Sequence, residues 1–195
     1  MSKRPRQPFG GYAGGGRGFN GGGASGSWET HADVVERRRR ELRAGLPKGK
    51  GWRDITENGH TWTLDESGTA RVIIGKIELG TTPPRSRTLQ RQAGGPERRP
   101  SDDGGHYVAP RFNAPTKRFN LLPQDMNLNR GRWRALEDEW ARDRRANKEV
   151  DYMIVPAFER SSRRPSHINV WWWVDGEERS LRFPNEPLER SRDKR

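Results

Sequence analysis

The chain has 195 residues, 38 of them Lys or Arg against 26 Asp or Glu, giving a formal charge of +12, and only 29% are hydrophobic. That length holds one ordinary domain plus a tail, and the apolar deficit against the usual roughly 45–50% leaves part of the chain with nothing to bury. No run approaches the roughly 18–20 apolar residues of a membrane span, the basic first residues lack the apolar stretch of an export signal, and the absence of cysteine excludes disulfides, thiolate metal sites and cysteine nucleophiles.

Residues 1–27 contain ten glycines with Lys3, Arg4, Arg6 and Arg17, so their ordering entropy has no compensating burial and a disordered tail is expected. Removing that tail leaves 34 basic against 26 acidic residues. The excess therefore belongs mostly to the folded part, which suggests a polyanionic partner, nucleic acid being the commonest. Residues 30–46 read as a helix within a linker of 28–50: Thr30 or Asp33 can cap it, Glu36 faces Arg40, and Gly45 with Pro47 stops it. The run Arg37–Arg40 is expected to be a solvated face. From Gly51 the pattern turns extended, and 60–79 predicts two strands around Glu66-Ser67-Gly68. Residues 81–102, with four prolines, two glycines and seven charges, predict a long exposed loop.

Trp133, Leu136, Glu137 and Trp140 recur at helical spacing and predict a helix over 130–147 with both tryptophans in the core. Segments 150–158 and 167–174 predict strands, and Asp175-Gly176 predicts a hairpin into 177–183. Alternation in a strand puts Trp172 with Ile168, Val170 and Val174 on a core face, and Trp171 with Trp173 on the other, open or covered by the first helix. The whole reads as a single α+β domain over 51–195 with an antiparallel sheet.

The chemistry concentrates in 101–140, SDDGGHYVAPRFNAPTKRFNLLPQDMNLNRGRWRALEDEW. Phosphodiester hydrolysis needs a base for water and a cation at the leaving oxygen, with a group to hold that cation. His106 follows two glycines, which can turn the backbone tightly and leave an imidazole of ordinary pKa near about 6.5 exposed as a base. Asn129 offers a neutral hard oxygen suited to a largely hydrated Mg²⁺, and Glu137 lies two turns on. From these residues alone a structural role stays open beside the catalytic one. His60 and His167 have no matching ligand partner, and Asp103 is expected to fix the turn before His106 through local hydrogen bonds.

The string Asp-Gly-Gly-His, then Asn-Leu-Leu-Pro-Gln-Asp, Leu-Asn-Arg-Gly, Trp and Leu-Glu resembles the non-specific DNA/RNA endonucleases of the ββα-metal, or His-Me finger, superfamily. The resemblance is to the branch of bacterial polymorphic toxins and EssD-like type VII secreted nucleases, and it covers about residues 55–184. It implies a ββα-metal finger with His106 as general base and Asn129 as direct ligand of Mg²⁺, for which Mn²⁺ can substitute. Glu137 would grip a metal-bound water, and Asn120 would orient the His-bearing loop or its neighbour. Gly104 stands where secreted relatives carry a phosphate-contacting arginine, so that role moves to Arg111, with Arg130 the second choice. Arg85, Arg87, Arg91, Arg98 and Arg99 are expected to line the cleft entrance. The implied activity is metal-dependent, sequence-tolerant cleavage of DNA, with RNA left open, giving 5′-phosphate ends. The alternatives are a non-catalytic nucleic-acid-binding protein that keeps the fold, and a basic partner-binding module with a coincidental His/Asn set. Such a nuclease would need a cognate immunity protein. It would reside in the cytoplasm, or be delivered by a specialised bacterial system into a target cell's cytoplasm.

Overall fold

The structure is a computed structural model describing residues 29–47, 49–80, 87–159 and 162–187. The Gly-rich tail and Arg85 lie outside the described residues. Among the described residues, four α-helical segments, α1 (His31–Ala44), α2 (Arg87–Gln92), α3 (Met126–Leu128) and α4 (Arg134–Arg145), accompany eight strands. The strands are β1 (Arg53–Glu57), β2 (His60–Leu64), β3 (Ala70–Lys76), β4 (Asp102–His106), β5 (Leu121–Asp125), β6 (Val150–Phe158), β7 (Pro165–Val174) and β8 (Glu177–Pro184). Six of them form one antiparallel sheet in the order β1-β2-β3-β6-β7-β8, and β4 pairs with β5 in a separate hairpin. This is the expected α+β architecture. At the β7–β8 turn Asp175 and Gly176 both take positive φ, 51° and 90°, the geometry that matches the twist of the two strands and favours Asp-Gly.

Alternation divides the large sheet into two apolar faces. Tyr152, Ile154, Ile168, Val170, Trp172 and Val174 join Trp133, Leu136 and Trp140 in the main core, beneath the hairpin and α4. Val72, Met153, Val155 and Trp173 point the other way and pack on Val35, with Leu42, Leu46 and Trp171 at the margin. Helix α1 is therefore the cover of the second face. It starts with a reciprocal cap: Thr30 Oγ1 accepts from the Asp33 N–H while Asp33 accepts from the Thr30 N–H.

Two expectations about α1 are corrected. Glu36 pairs with Arg39, not Arg40, at 2.6 Å. Arg39 is also no part of a solvated face: it is buried, donating to the carbonyls of Gly75 and Tyr152 at 2.7 and 2.9 Å. Beside it His31 contacts Asp151 at 2.8 Å and Glu149 at 3.6 Å. This His/Glu/Asp group is close enough to hold a cation, but Lys76 and Arg39 already neutralise Glu149 and Asp151, and it reads as the anchor of α1.

The loop expected over 81–102 contains α2 and a short 3-10 turn, Gly95–Glu97, with Ala93 buried. Arg98 and Arg99 are spent on structure there. Arg98 donates to the carbonyls of Arg91 and Asp102 and to that of Gln90, and Arg99 pairs with Glu186. The hairpin is tied to the large sheet by a buried joint. Arg164 makes a two-pronged pair with Asp102 at 2.9 Å on each arm and donates to the Asn185 carbonyl at 2.7 Å. Asn185 in turn accepts from the Asp125 N–H and donates to the carbonyls of Pro123 and Pro165.

Candidate active site

The hairpin and the long helix form the two walls of the site. Helix α3 is capped by Asp125, whose carboxylate accepts from the N–H groups of Asn127 and Leu128. It runs through a π turn, Asn129–Trp133, into α4 with helical dihedrals at every junction. The helix thus begins at Met126, four residues before the expected start. In a regular α-helix residues eight apart would be about 80° out of register; the wider π turn absorbs much of that offset. Asn129 and Glu137 consequently face the same cavity.

That cavity measures about 360 Å³ and is lined by His106, Arg111, Asn129, Arg130, Arg134 and Glu137, with Gln90 and the backbone of Gly104 and Gly105. His106 ends β4 and is half-buried. Asn129 is oriented by Asp103, which accepts from its amide nitrogen at 3.0 Å. The amide nitrogen being engaged, the carbonyl oxygen is the atom left to take a cation. Arg130 grips the same carboxylate with two hydrogen bonds of 2.8 Å, and this pairing, opposed by burial, holds Asp103 below the usual carboxylate range. Asp103 therefore does not act on a local turn. Its partners lie 26 and 27 residues away, and it clamps strand to helix.

Arg111 sits on a 3-10 turn, Pro110–Phe112. It hydrogen-bonds Asp138 at 2.7 Å and approaches Glu137 at 3.8 Å. Its Nε and Nη2 are buried and donate no hydrogen bond to the described residues, while the side chain as a whole is half-buried and lines the cavity, which puts its positive charge in reach of an incoming oxyanion. The turn is propped from below by His60. Because His60 Nε2 lies 2.9 Å from the Phe112 carbonyl it must donate there, leaving Nδ1 to accept from the Tyr152 hydroxyl at 2.7 Å. Burial is the main influence on His60 and lowers its pKa, keeping the ring neutral.

Asn120 is not in the cavity. Fully buried, it accepts from the Val108 N–H and donates to the carbonyls of Val108 and Pro115, fixing the segment that follows His106. The glycines before His106 serve close approach, not a tight turn. They lie within β4, and a Cβ on Gly104 would stand 2.1 Å from the Gln90 carbonyl oxygen. One on Gly105 would stand 2.1 Å from Gln124 Oε1. Helix α2 thus occupies the space an arginine at position 104 would need. The sequence reading missed Gln90 and Asp103 as members of this site; the only signal for Asp103 was its place beside the Gly-Gly-His string.

A family model described as DNA/RNA non-specific endonuclease matches residues 51–176. The type VII secretion system protein EssD of Staphylococcus aureus, in strains USA300 and NCTC 8325, is 31% identical over 137 residues, covering 67% of this chain and 22% of EssD. The chain spans about a fifth of the length of these relatives. Sda1 nuclease, solved with a bound zinc ion, has a TM-score of 0.53 at 14% identity, over 66% of this chain and 78% of that one. NucA from Streptococcus agalactiae, solved with magnesium bound, has a TM-score of 0.48 at 12% identity, over 80% and 93%. The likeness to Sda1 is one of fold.

Proposed function

The chain belongs to the DNA/RNA non-specific endonuclease family, and from that premise we propose that it is a metal-dependent, sequence-tolerant endonuclease. Its substrate is DNA, its products carry 5′-phosphate, and RNA is the second substrate to test. The observation that carries this reading is the convergence of His106, Arg111, Asn129 and Glu137 on one cavity, with the Asn129 amide nitrogen tied to Asp103.

In this mechanism the His106 imidazole takes the proton of the attacking water. The Arg111 guanidinium, steadied by Asp138 and Glu137, attracts a phosphate oxygen into the cavity that it lines. Asp103 and Arg130 keep the Asn129 carbonyl aimed into the cleft, and Asn120 holds the backbone after His106 in place. Mg²⁺, held by Asn129 and through water by Glu137, would supply charge neutralisation at the phosphate and at the departing 3′ oxygen. The donor set is all oxygen, which suits Mg²⁺ or Mn²⁺. The zinc in Sda1 makes Zn²⁺ the competitor to test.

By its likeness to EssD we further read the protein as a secreted effector or toxin nuclease with a cognate inhibitor protein. Among the described residues no helix is long and apolar enough to cross a membrane. The deciding experiment is cleavage of supercoiled plasmid with Mg²⁺, with EDTA and with Zn²⁺ alone, by wild type and His106→Ala. Nicking that needs Mg²⁺ and disappears in the variant is expected. Binding without nicking would instead establish a nucleic-acid-binding protein that keeps the nuclease fold.

A further inference from the structure

Beyond the cleft, on the next residues of α2, lies a second groove of about 440 Å³. Gln90 faces the cleft, whereas Arg91 and Gln92 line this groove together with Arg118 and Arg163. The hairpin contributes to both: Gly104, Gly105 and His106 to the cleft, Leu121 and Pro123 to the groove. The two cavities are therefore neighbours built on the same two elements.

Their electrostatics differ in kind. In the cleft each arginine already has a carboxylate: Arg111 and Arg134 share Asp138, and Arg130 holds Asp103. In the groove no carboxylate lines the wall. Arg91, Arg118 and Arg163 are exposed and form no ion pair within 4 Å among the described residues. The one side-chain hydrogen bond among them is a long one, 3.5 Å, from Arg118 to Gln92. Glu97 accepts from the Arg163 N–H at 2.6 Å and answers part of the Arg163 charge from behind the wall, but three exposed guanidinium groups around a concave, carboxylate-free wall still form a local field that attracts polyanions. Ser67 and Thr69 add hydroxyls on the far rim.

We propose that this groove is a binding site for the phosphodiester backbone of the substrate strand as it leaves the cleft, with Arg91, Arg118 and Arg163 each taking a phosphate. The proposal rests on the nuclease reading of the cleft. The groove is the sequence-blind grip, while the cleft, whose cations are internally neutralised, contributes chemistry more than affinity. It also relocates the role expected of the basic stretch 85–99: Arg91 turns away from the cleft, and Arg98 and Arg99 are tied up in the fold.

The test separates binding from cutting. In a His106→Ala background with EDTA, affinity for a long fluorescein-labelled DNA duplex is read by anisotropy over a range of salt. The triple variant Arg91→Gln/Arg118→Gln/Arg163→Gln should bind on the order of tenfold or more weakly and lower the slope of log affinity against log salt by about 2–3, near 0.9 per lost phosphate contact. Replacing the same three residues with Lys should restore most of the slope. A control with the same change in net charge, Arg37→Gln/Arg38→Gln/Arg40→Gln on α1, should leave the slope nearly unchanged. With His106 present, the groove variant should raise KM on plasmid but not alter kcat on a dinucleotide-sized phosphodiester, which is too short to reach the groove. If the groove variant binds like wild type, or the α1 control flattens the slope as much, the proposal is overturned. Failure of wild type to cut any substrate would overturn the nuclease reading and leave the anisotropy result standing.

Discussion

His106 and Asn120 both belong to the stretch that the sequence marks as chemical, yet burial gives them different duties. His106 lines an open cavity, so His106→Ala is expected to lower kcat by about 10²–10⁴ with an unchanged thermal melt. Asn120 is sealed in, with three hydrogen bonds to backbone. Truncating it strands those groups at about 1–3 kcal/mol, so Asn120→Ala should melt earlier, by circular dichroism, and lose activity through disorder near His106. A histidine variant that melted early, or an Asn120 variant with native stability, would reverse these assignments. His60 gives a third test. Its pKa is lowered, chiefly by burial, so the unfolded chain binds the extra proton first. The stability it confers is complete above the unfolded value near 6.5 and is lost as pH falls from there through the lower folded value. Urea midpoints should therefore drop between neutral and mildly acidic pH, and drop less in His60→Gln. The catalytic candidates were visible in the sequence as residue types at matched spacing. Asp103 was not, because its partners are brought to it by the helix crossing the hairpin.

At the scale of elements, legibility followed local pattern. The helix carrying Trp133 and Trp140 and the Asp175-Gly176 hairpin are written in periodicity and turn chemistry. The β4–β5 hairpin is not: Asp-Asp-Gly-Gly-His contains no β-branched residue, and its strand form is imposed by pairing with Leu121–Asp125. The π turn is equally silent, since nothing in Asn-Arg-Gly-Arg-Trp announces one. What keeps so poor a strand in register is the joint of Asp102, Arg164 and Asn185. Burial, the largest single influence, would raise the Asp102 pKa, but the hydrogen bonds and charges of Arg164 and Arg99 together outweigh it and the net shift is downward. The side chains of Asp102 and Arg164 are 0% and 6% exposed. Asp102→Ala would leave a buried guanidinium with only the Asn185 carbonyl and Glu186 for company, a change that costs about 3–5 kcal/mol in comparable settings. We expect a large fall in the urea midpoint near neutral pH and loss of nuclease activity without any contact between Asp102 and the cleft. A midpoint shift below about 1 kcal/mol would show that the hairpin is held by α2 and the helix instead.

At the scale of the molecule, the sheet separates two jobs. One face carries the hairpin, the helix and the cleft; the other, among the described residues, carries α1. The family match begins at residue 51, where the composition also changes, and residues 28–50 read from sequence as a linker. The packing argues for a different folding unit. Val35 is buried against Val72, Met153 and Trp173, Arg39 reaches under the sheet to two carbonyls, and His31 docks on Asp151. Cutting the chain before Gly51 would uncover Trp173 and Met153, both 0% exposed, at about 1.5–3 kcal/mol for each large apolar side chain, and would leave the Gly75 and Tyr152 carbonyls without Arg39. Against a total stability of about 5–15 kcal/mol for a typical domain, that loss is a large fraction. Comparison of residues 29–195 with 51–195 should therefore show the shorter chain melting well below the longer one and tending to aggregate through the bared sheet face. The cleft lies on the opposite face from α1, so at low temperature the folded fraction of 51–195 should retain the kcat of the longer chain. Equal melting temperatures would make α1 a passive linker after all. Equal stability with lost activity would mean that α1 reaches the cleft by a route the packing does not contain.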